Sequence, residues 1–187
     1  FITWVAWSWK TSIISVLNKQ GMFHYVQSFT TRPMREWEKN GDKYFHVTDK
    51  EFKSFIKNNE MLEYAFVHNM YRYWTKKALL QEIIAKWEIP MKEIDLKWLA
   101  DLSSHDWRDS ILSIFFNVSD ITMTQRLLHR QPNMGPEELQ NRLISSNQER
   151  QLAKNHADII IDSWKAFDQV CNQVITIIKK HFWSKLV

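Results

Sequence analysis

The apolar positions of this chain change period along its length, and each change marks the passage from a strand to a helix or back. Residues 1–5 are all β-branched or aromatic and predict a buried strand. After Lys10, Thr11 and Ser12, the residues Ile13, Ile14, Val16 and Leu17 recur at helical spacing, and Gly21 falls where a helix C-cap belongs. Residues 25–31 read as a second strand, followed by a charged loop that ends at Tyr44. Thr48 with Glu51 three positions on forms a capping box, and Phe52, Phe55 and Ile56 line one face of the helix until Asn58 and Asn59 end it. A β-rich stretch at 61–67 precedes a turn at 71–73. Residues 76–86 predict a helix with Leu79, Leu80, Ile83 and Ile84 inward.

The second half continues the alternation. Residues 89–96 are a strand candidate ending on Asp95, and 111–118 is the nearly continuous apolar run of a central parallel strand. Asp120 is expected to cap a helix through Arg130. Residues 131–136 break it, and Pro136 opens the next helix, through about Ala153. A last short strand at 158–162 and a terminal helix at 167–182 complete the series. Strands alternating with helices throughout predict an α/β fold, a mostly parallel sheet flanked by helices, with no repeat or linker inside its 187 residues.

Composition narrows the class. With 44% hydrophobic and 25% charged residues, the chain can build a core and is not a disordered segment. No run approaches the roughly 18 apolar residues of a membrane helix, and the opening FITWVAWSWK has neither the basic region nor the cleavage site of a signal peptide. A lone Cys171 fits a buried apolar position in a reducing cytoplasm. The seven histidines lack paired ligand spacing, so no zinc site is expected. A net charge of +4 suits phosphorylated small molecules, and neither nucleic acid nor membrane is expected as a partner. One count is abnormal: 3 glycines and 10 tryptophans, where about 7% Gly is ordinary.

The first candidate for chemistry is the run Trp4, Val5, Ala6, Trp7, Ser8, Trp9, Lys10, Thr11, Ser12. A phosphate-binding loop reads G-x-x-x-x-G-K-[ST] between a strand and a helix, and here Lys10, Thr11 and the context agree while Trp4 and Trp9 hold the glycine positions. The second is Ser28, Phe29, Thr30, Thr31, Arg32, Pro33, Met34, Arg35, with Glu38, Gly41 and Tyr44 behind it. Arginines three apart beside a tyrosine hydroxyl can fix a doubly charged phosphate through forked donors.

These segments resemble the guanylate kinase pattern S-x-T-T-R-x-x-R-x-G-E-x-x-G-x-x-Y. So, in the family's order, do Asn59, Glu60 and Glu63, then Tyr73, Trp74 and Thr75, then Glu93, Ile94 and Asp95. Arg126, Arg130 and Arg142 fall where that family carries lid arginines. The resemblance spans nearly the whole chain and implies a P-loop nucleoside monophosphate kinase fold. Its core would be residues 1–31 and 76–187, with a GMP-binding subdomain at 32–75 and a lid at about 126–142.

It also implies roles. ATP would sit on residues 4–12, with Lys10 reaching its β/γ oxygens, Thr11 ligating Mg²⁺ directly and Arg126 nearby. GMP would sit on Arg32, Arg35, Tyr44 and Tyr73 through its phosphate, and on Glu63, Ser28 and Thr75 through its base, with Asp95 in the crevice. Lys10, Arg130 and Arg142 would stabilise the transferred phosphoryl group.

Trp4, Trp7, Trp9, Trp37, Trp74, Trp87 and Trp98 all stand where that family carries or often carries glycine, a systematic replacement rather than drift. Glycine loop positions commonly need φ > 0, and an indole there strains the backbone and crowds the phosphate. Two readings follow: an ATP:GMP phosphotransferase, or an inactive guanylate-kinase-like module that binds a phosphorylated or acidic partner.

Overall fold

The computed structural model describes residues 2–4, 10–21, 23–67, 71–94, 96, 99–100 and 108–183. Its elements in chain order begin with β1 (Ile2–Trp4), α1 (Lys10–Asn18), β2 (Phe23–Tyr25), β3 (Ser28–Thr30), β4 (Tyr44–His46) and α2 (Asp49–Lys57). There follow β5 (Met61–Val67), β6 (Tyr71–Lys76), α3 (Lys77–Ala85) and β7 (Ile89–Met91). A 3₁₀ turn at Arg108–Ser110 leads to β8 (Ile114–Asn117), α4 (Asp120–Arg130), α5 (Pro136–His156), β9 (Ile159–Asp162) and α6 (Phe167–Trp183). The fold is α/β with parallel strands. The chain divides into two compact units, residues 1–19 with 93–187, and residues 20–92.

In the first unit the apolar run becomes the middle strand, as its composition predicts: β8 lies between β1 and β9, parallel to both. Ile114, Phe115 and Phe116 are fully buried, as the residues of a middle parallel strand usually are. Phe115 and Val118 join Met123 and Leu127 of α4, Ala153 of α5, and Leu96 and Leu99 in one core. The start of β9 is pinned by Asp158, whose carboxylate accepts from the Ser113 amide (2.7 Å) and hydroxyl (2.6 Å) and from Arg108 Nη2 (2.7 Å). Ser119, not Asp120, caps α4: its hydroxyl accepts from the Thr122 amide at 3.2 Å, and Asp120 occupies the first turn, favourable to a carboxylate. Pro136 opens α5 as its fixed φ suggests, and the helix continues past Ala153 to His156.

The second unit holds a four-stranded sheet in the order β4-β3-β6-β5 and a parallel pair, β2 with β7. β3 runs parallel to β4 and antiparallel to β6, and β6 runs antiparallel to β5. The strand expected at 25–31 is two strands in two sheets. The chain leaves β2 at Tyr25 and enters β3 at Ser28. The turn expected at 71–73 is strand: Tyr71 and Tyr73 pair with Val67 and Ala65, a role their aromatic rings suit. The strand expected at 89–96 stops at Met91, and Leu96 is helical. Pro90 lies inside it and has no N–H for a ladder, which suits a strand paired on one side.

Two helices stabilise this unit. The Thr48 hydroxyl accepts from the Glu51 amide (3.3 Å) and the Glu51 carboxylate accepts from the Thr48 amide (2.8 Å), completing the capping box. α2 packs Phe52 against Trp74 and Met61, with Phe29, Val47 and Phe55 around them. On α3 only part of the expected face is inward: Ile83 is buried while Ile84 is exposed. α2 and α3 finish alike. Asn59 N–H donates to Ile56 O (3.0 Å) and Glu60 N–H to Phe55 O (3.0 Å); Trp87 N–H donates to Ile84 O (2.9 Å) and Glu88 N–H to Ile83 O (3.2 Å). Both are Schellman endings with the key residue at positive φ, 53° at Asn59 and 59° at Trp87.

Candidate active site

Strand alternation sorts the second unit's sheet into an aromatic face and a polar face. Phe29 stacks on Phe45 (4.8 Å) and on Trp74 (5.6 Å), so those three rings share one side. The residues one step away on each strand share the other: Ser28 and Thr30 of β3, Tyr44 and His46 of β4, Tyr73 and Thr75 of β6. Register aligns them, Ser28 opposite Tyr44, and Thr30 opposite both His46 and Tyr73. Thr30 and Thr75 are fully buried. Glu63 stands opposite Thr75 in the register of β5, and its side chain lies outside the described part.

Arg32 lies at the edge of this polar face, and its surroundings fix the guanidinium. Nη2 donates to both Glu38 oxygens at 2.6 and 2.9 Å, and Nη1 donates to Pro33 O at 2.8 Å. The guanidinium carbon sits 5.5 Å from the centre of the Tyr44 ring, which meets the Tyr73 ring edge-on at 5.8 Å. The hydrogen bond to Glu38, opposed by burial and helped by the Tyr73 hydroxyl, raises the Arg32 pKa. Arg32 in turn, with the Arg35 amide donating at 2.9 Å, holds the Glu38 carboxyl down at about 2. His46 closes the cluster, with Nδ1 2.8 Å from Arg32 O and Nε2 3.5 Å from Glu38. Arg35 itself is exposed, its guanidinium 5.7 Å from the Trp37 ring centre.

The other candidate residues belong to the first unit. α1 begins at Lys10, so Lys10, Thr11 and Ser12 form a helix N-terminus with no acidic residue in its first turn, a place that attracts anions. The side chains of Trp4, Lys10 and Thr11 lie outside the described part, as do Val5, Ala6, Trp7, Ser8, Trp9 and Asp95 altogether. β1 and β9 are parallel, so Trp4 and Asp162 end at the same side of the sheet. There a cavity of about 480 Å³ is lined by Trp164, Lys165, Ala166, Gln169 and Gln173. Arg126 reaches this side, its Nη2 donating to Ser163 O at 3.2 Å, and burial lowers its pKa. Arg126 and Arg130 line a groove on α4 with Gln125 and His129. Arg142 is ion-paired with Glu138, one turn back on α5, at 2.7 Å.

Three residues of the second unit were given no role from sequence. Glu38 stood inside the double-arginine motif, but its contact with Arg32 depends on how the loop folds. His46 lies between the end of the charged loop and the Thr48 capping box and belongs to no motif. Lys92, 3% exposed, donates from Nζ to Ser28 Oγ at 2.8 Å and to Val26 O at 3.3 Å. A lysine inside the apolar stretch at 89–96 was the available signal.

Comparison with known proteins identifies the relatives of this chain. The guanylate kinase family model matches residues 10–181. A guanylate kinase of Fusobacterium nucleatum subsp. nucleatum is 28% identical over 170 residues, covering 91% of this chain and 89% of the relative. A guanylate kinase of Malacoplasma penetrans is 32% identical over 154 residues, covering 81% of this chain and 77% of the relative. The crystal structure of guanylate kinase from Anaplasma phagocytophilum superposes with a TM-score of 0.70 at 19% identity, over 96% of this chain and 83% of that one. The chain belongs to the guanylate kinase family.

Proposed function

We propose that this chain is an ATP:GMP phosphotransferase, giving ADP and GDP. The polar sheet face carries the reading: it gathers Ser28, Tyr44, Tyr73 and Thr75 beside an Arg32 whose guanidinium plane is already held by Glu38. A forked cation flanked by two phenols matches the GMP phosphate, with Arg35 as a second cation from the same loop. Guanine offers an N1–H and an amine, which Glu63 can accept, and an O6, toward which Ser28 and Thr75 can donate. Asp95 would stand in the crevice near the base.

ATP is assigned to the carboxyl end of the β1-β8-β9 sheet, with its phosphates on residues 4–12 and Arg126 alongside. The α1 N-terminus is free of acidic side chains and fits a metal-bound polyphosphate, with Thr11 as the direct protein ligand to Mg²⁺. The metal would neutralise charge on the bridging phosphates. A GMP phosphate oxygen attacks the γ-phosphorus in line, the bond to the ADP oxygen breaks, and no covalent enzyme intermediate is needed. Lys10, Arg130 and Arg142 would balance the charge on the transferred group, with residues 126–142 acting as a lid that excludes water. Arg142 must leave Glu138 to do so, a weak surface pair that costs little to break.

The test is a coupled assay with ATP, Mg²⁺ and GMP. Arg32→Ala should raise KM for GMP by about 10- to 100-fold, the loss of one charge-assisted contact, with KM for ATP unchanged. Calorimetric GMP binding without turnover in the parent chain would instead identify an inactive binding module.

A further inference from the structure

Lys92 is a cation where a hydrophobic residue would be cheaper. It directly follows β7, is 3% exposed, and spends one donor on Ser28 Oγ at 2.8 Å and another on Val26 O at 3.3 Å. Lysine is almost never this deeply buried, because the ammonium loses its hydration. The Val26 amide also donates to Met91 O at 2.8 Å, so backbone as well as Lys92 joins β7 to the segment before β3. The shorter of the two lysine bonds goes to the Ser28 hydroxyl.

The consequence is a direction for one proton. An ammonium has three donors and no acceptor, so Ser28 Oγ must accept in its bond with Lys92. A serine hydroxyl has a single proton, which is then left to point elsewhere. Ser28 lies on the polar sheet face with Tyr44, Thr30, Tyr73 and Thr75, so the proton is available to whatever purine edge meets that face. A hydroxyl without such a neighbour turns to suit either a donor or an acceptor. A hydroxyl that already accepts from an ammonium keeps a second lone pair, but the cation beside it opposes a further N–H donor and so favours an acceptor.

We propose that Lys92 is a positioning residue for base selection, holding Ser28 as a donor so that the chain accepts purine monophosphates with an oxygen at C6 and rejects those with an amine there. This rests on the reading above that Ser28 faces the base. Without Lys92 the hydroxyl can rotate to accept from a 6-amino group, and discrimination falls.

The experiment compares kcat/KM for GMP and for 2,6-diaminopurine riboside 5′-monophosphate, which carries an amine in place of O6. The analogue also lacks the N1–H, but that difference is constant across variants, so changes in the ratio report the 6-position. Lys92→Met should narrow the ratio by about tenfold, the worth of one directed hydrogen bond. Ser28→Ala should narrow it similarly, and the double variant should go no further, because the two act through one hydroxyl. Lys92→Arg keeps a donor-only cation and should keep the parent ratio. If Lys92→Met weakens both nucleotides equally, the residue is a structural anchor and the proposal falls. If Ser28→Ala leaves the ratio unchanged while GMP is still turned over, Ser28 does not face the base, and both readings fail at that point. Should Lys92→Met not fold by circular dichroism, Lys92→Leu serves: it likewise removes the donor to Ser28, so the ratio should narrow there too, and an unchanged ratio overturns the proposal.

Discussion

Replacing Trp87 by glycine should make this protein more stable. Trp87 sits at the αL position that ends α3, with φ 59°, and both Schellman hydrogen bonds hold it there. A side chain with a Cβ pays about 1–2 kcal/mol in that conformation, against nothing for glycine. The indole offsets little of this, because the residue is 89% exposed. Glycine brings back about 0.5–1 kcal/mol of unfolded-chain entropy, so the net gain is roughly 0.5–1 kcal/mol, or about 1–4 °C in Tm for a chain of this size. Thermal and urea melts of the parent, Trp87→Gly and Trp87→Ala read it out. Alanine removes the indole but keeps the Cβ, so it should gain nothing. Asn59→Gly is the internal control. The same ending there has φ 53°, but asparagine tolerates the left-handed region, and the change should stay within about 0.5 kcal/mol. If Trp87→Gly melts at or below the parent, or Trp87→Ala gains as much, the backbone argument is wrong.

Two further outcomes follow from the second unit. The Glu38 carboxyl is held at about 2 against an ordinary 4.5, so its stabilising contribution is complete above pH 4.5 and is lost as pH falls toward 2. Urea melts across that window should show a shallower loss of stability in Glu38→Gln than in the parent, and identical slopes would contradict the pairing with Arg32. Trp74→Ala removes a side chain 1% exposed and ringed by Phe29, Phe52 and Phe55, and should cost about 3–5 kcal/mol in the same melts. A cost below 1 kcal/mol would mean that the ring is not part of the core.

Trp74 and Trp87 also show where reading the sequence reaches its limit. The resemblance reads Trp74 as standing at a family glycine and Trp87 where the family often has one, and sequence alone treats them alike. In the fold, Trp74 lies in an extended strand with aromatic neighbours, and Trp87 takes the strained turn that glycine would favour. Signals confined to a few neighbouring residues were legible: the Thr48–Glu51 box, Pro136 opening a helix, and the apolar run of β8. Tyr71–Tyr73 reads as a turn from sequence because its strand character depends on β5, a partner that local pattern cannot supply. The motif named Ser28, Arg32, Tyr44, Tyr73 and Thr75, and alternation in the sheet explains how four of them share a face. Glu38, His46 and Lys92 acquire their contacts only through tertiary folding, so no spacing rule could reveal them.

The division of the chain bears on how it comes to be folded during synthesis. Residues 20–92 are one continuous stretch, and every strand of the sheet carrying the polar face comes from it. The other unit is discontinuous: β1 must wait for β8, so that Ile2 can meet Ile114 only after all of the first stretch has been made. Local pairing forms quickly and distant parallel pairing slowly. On the ribosome, the sheet of residues 20–92 can therefore assemble while β1 is still an unpaired strand, the species most exposed to misassociation before release.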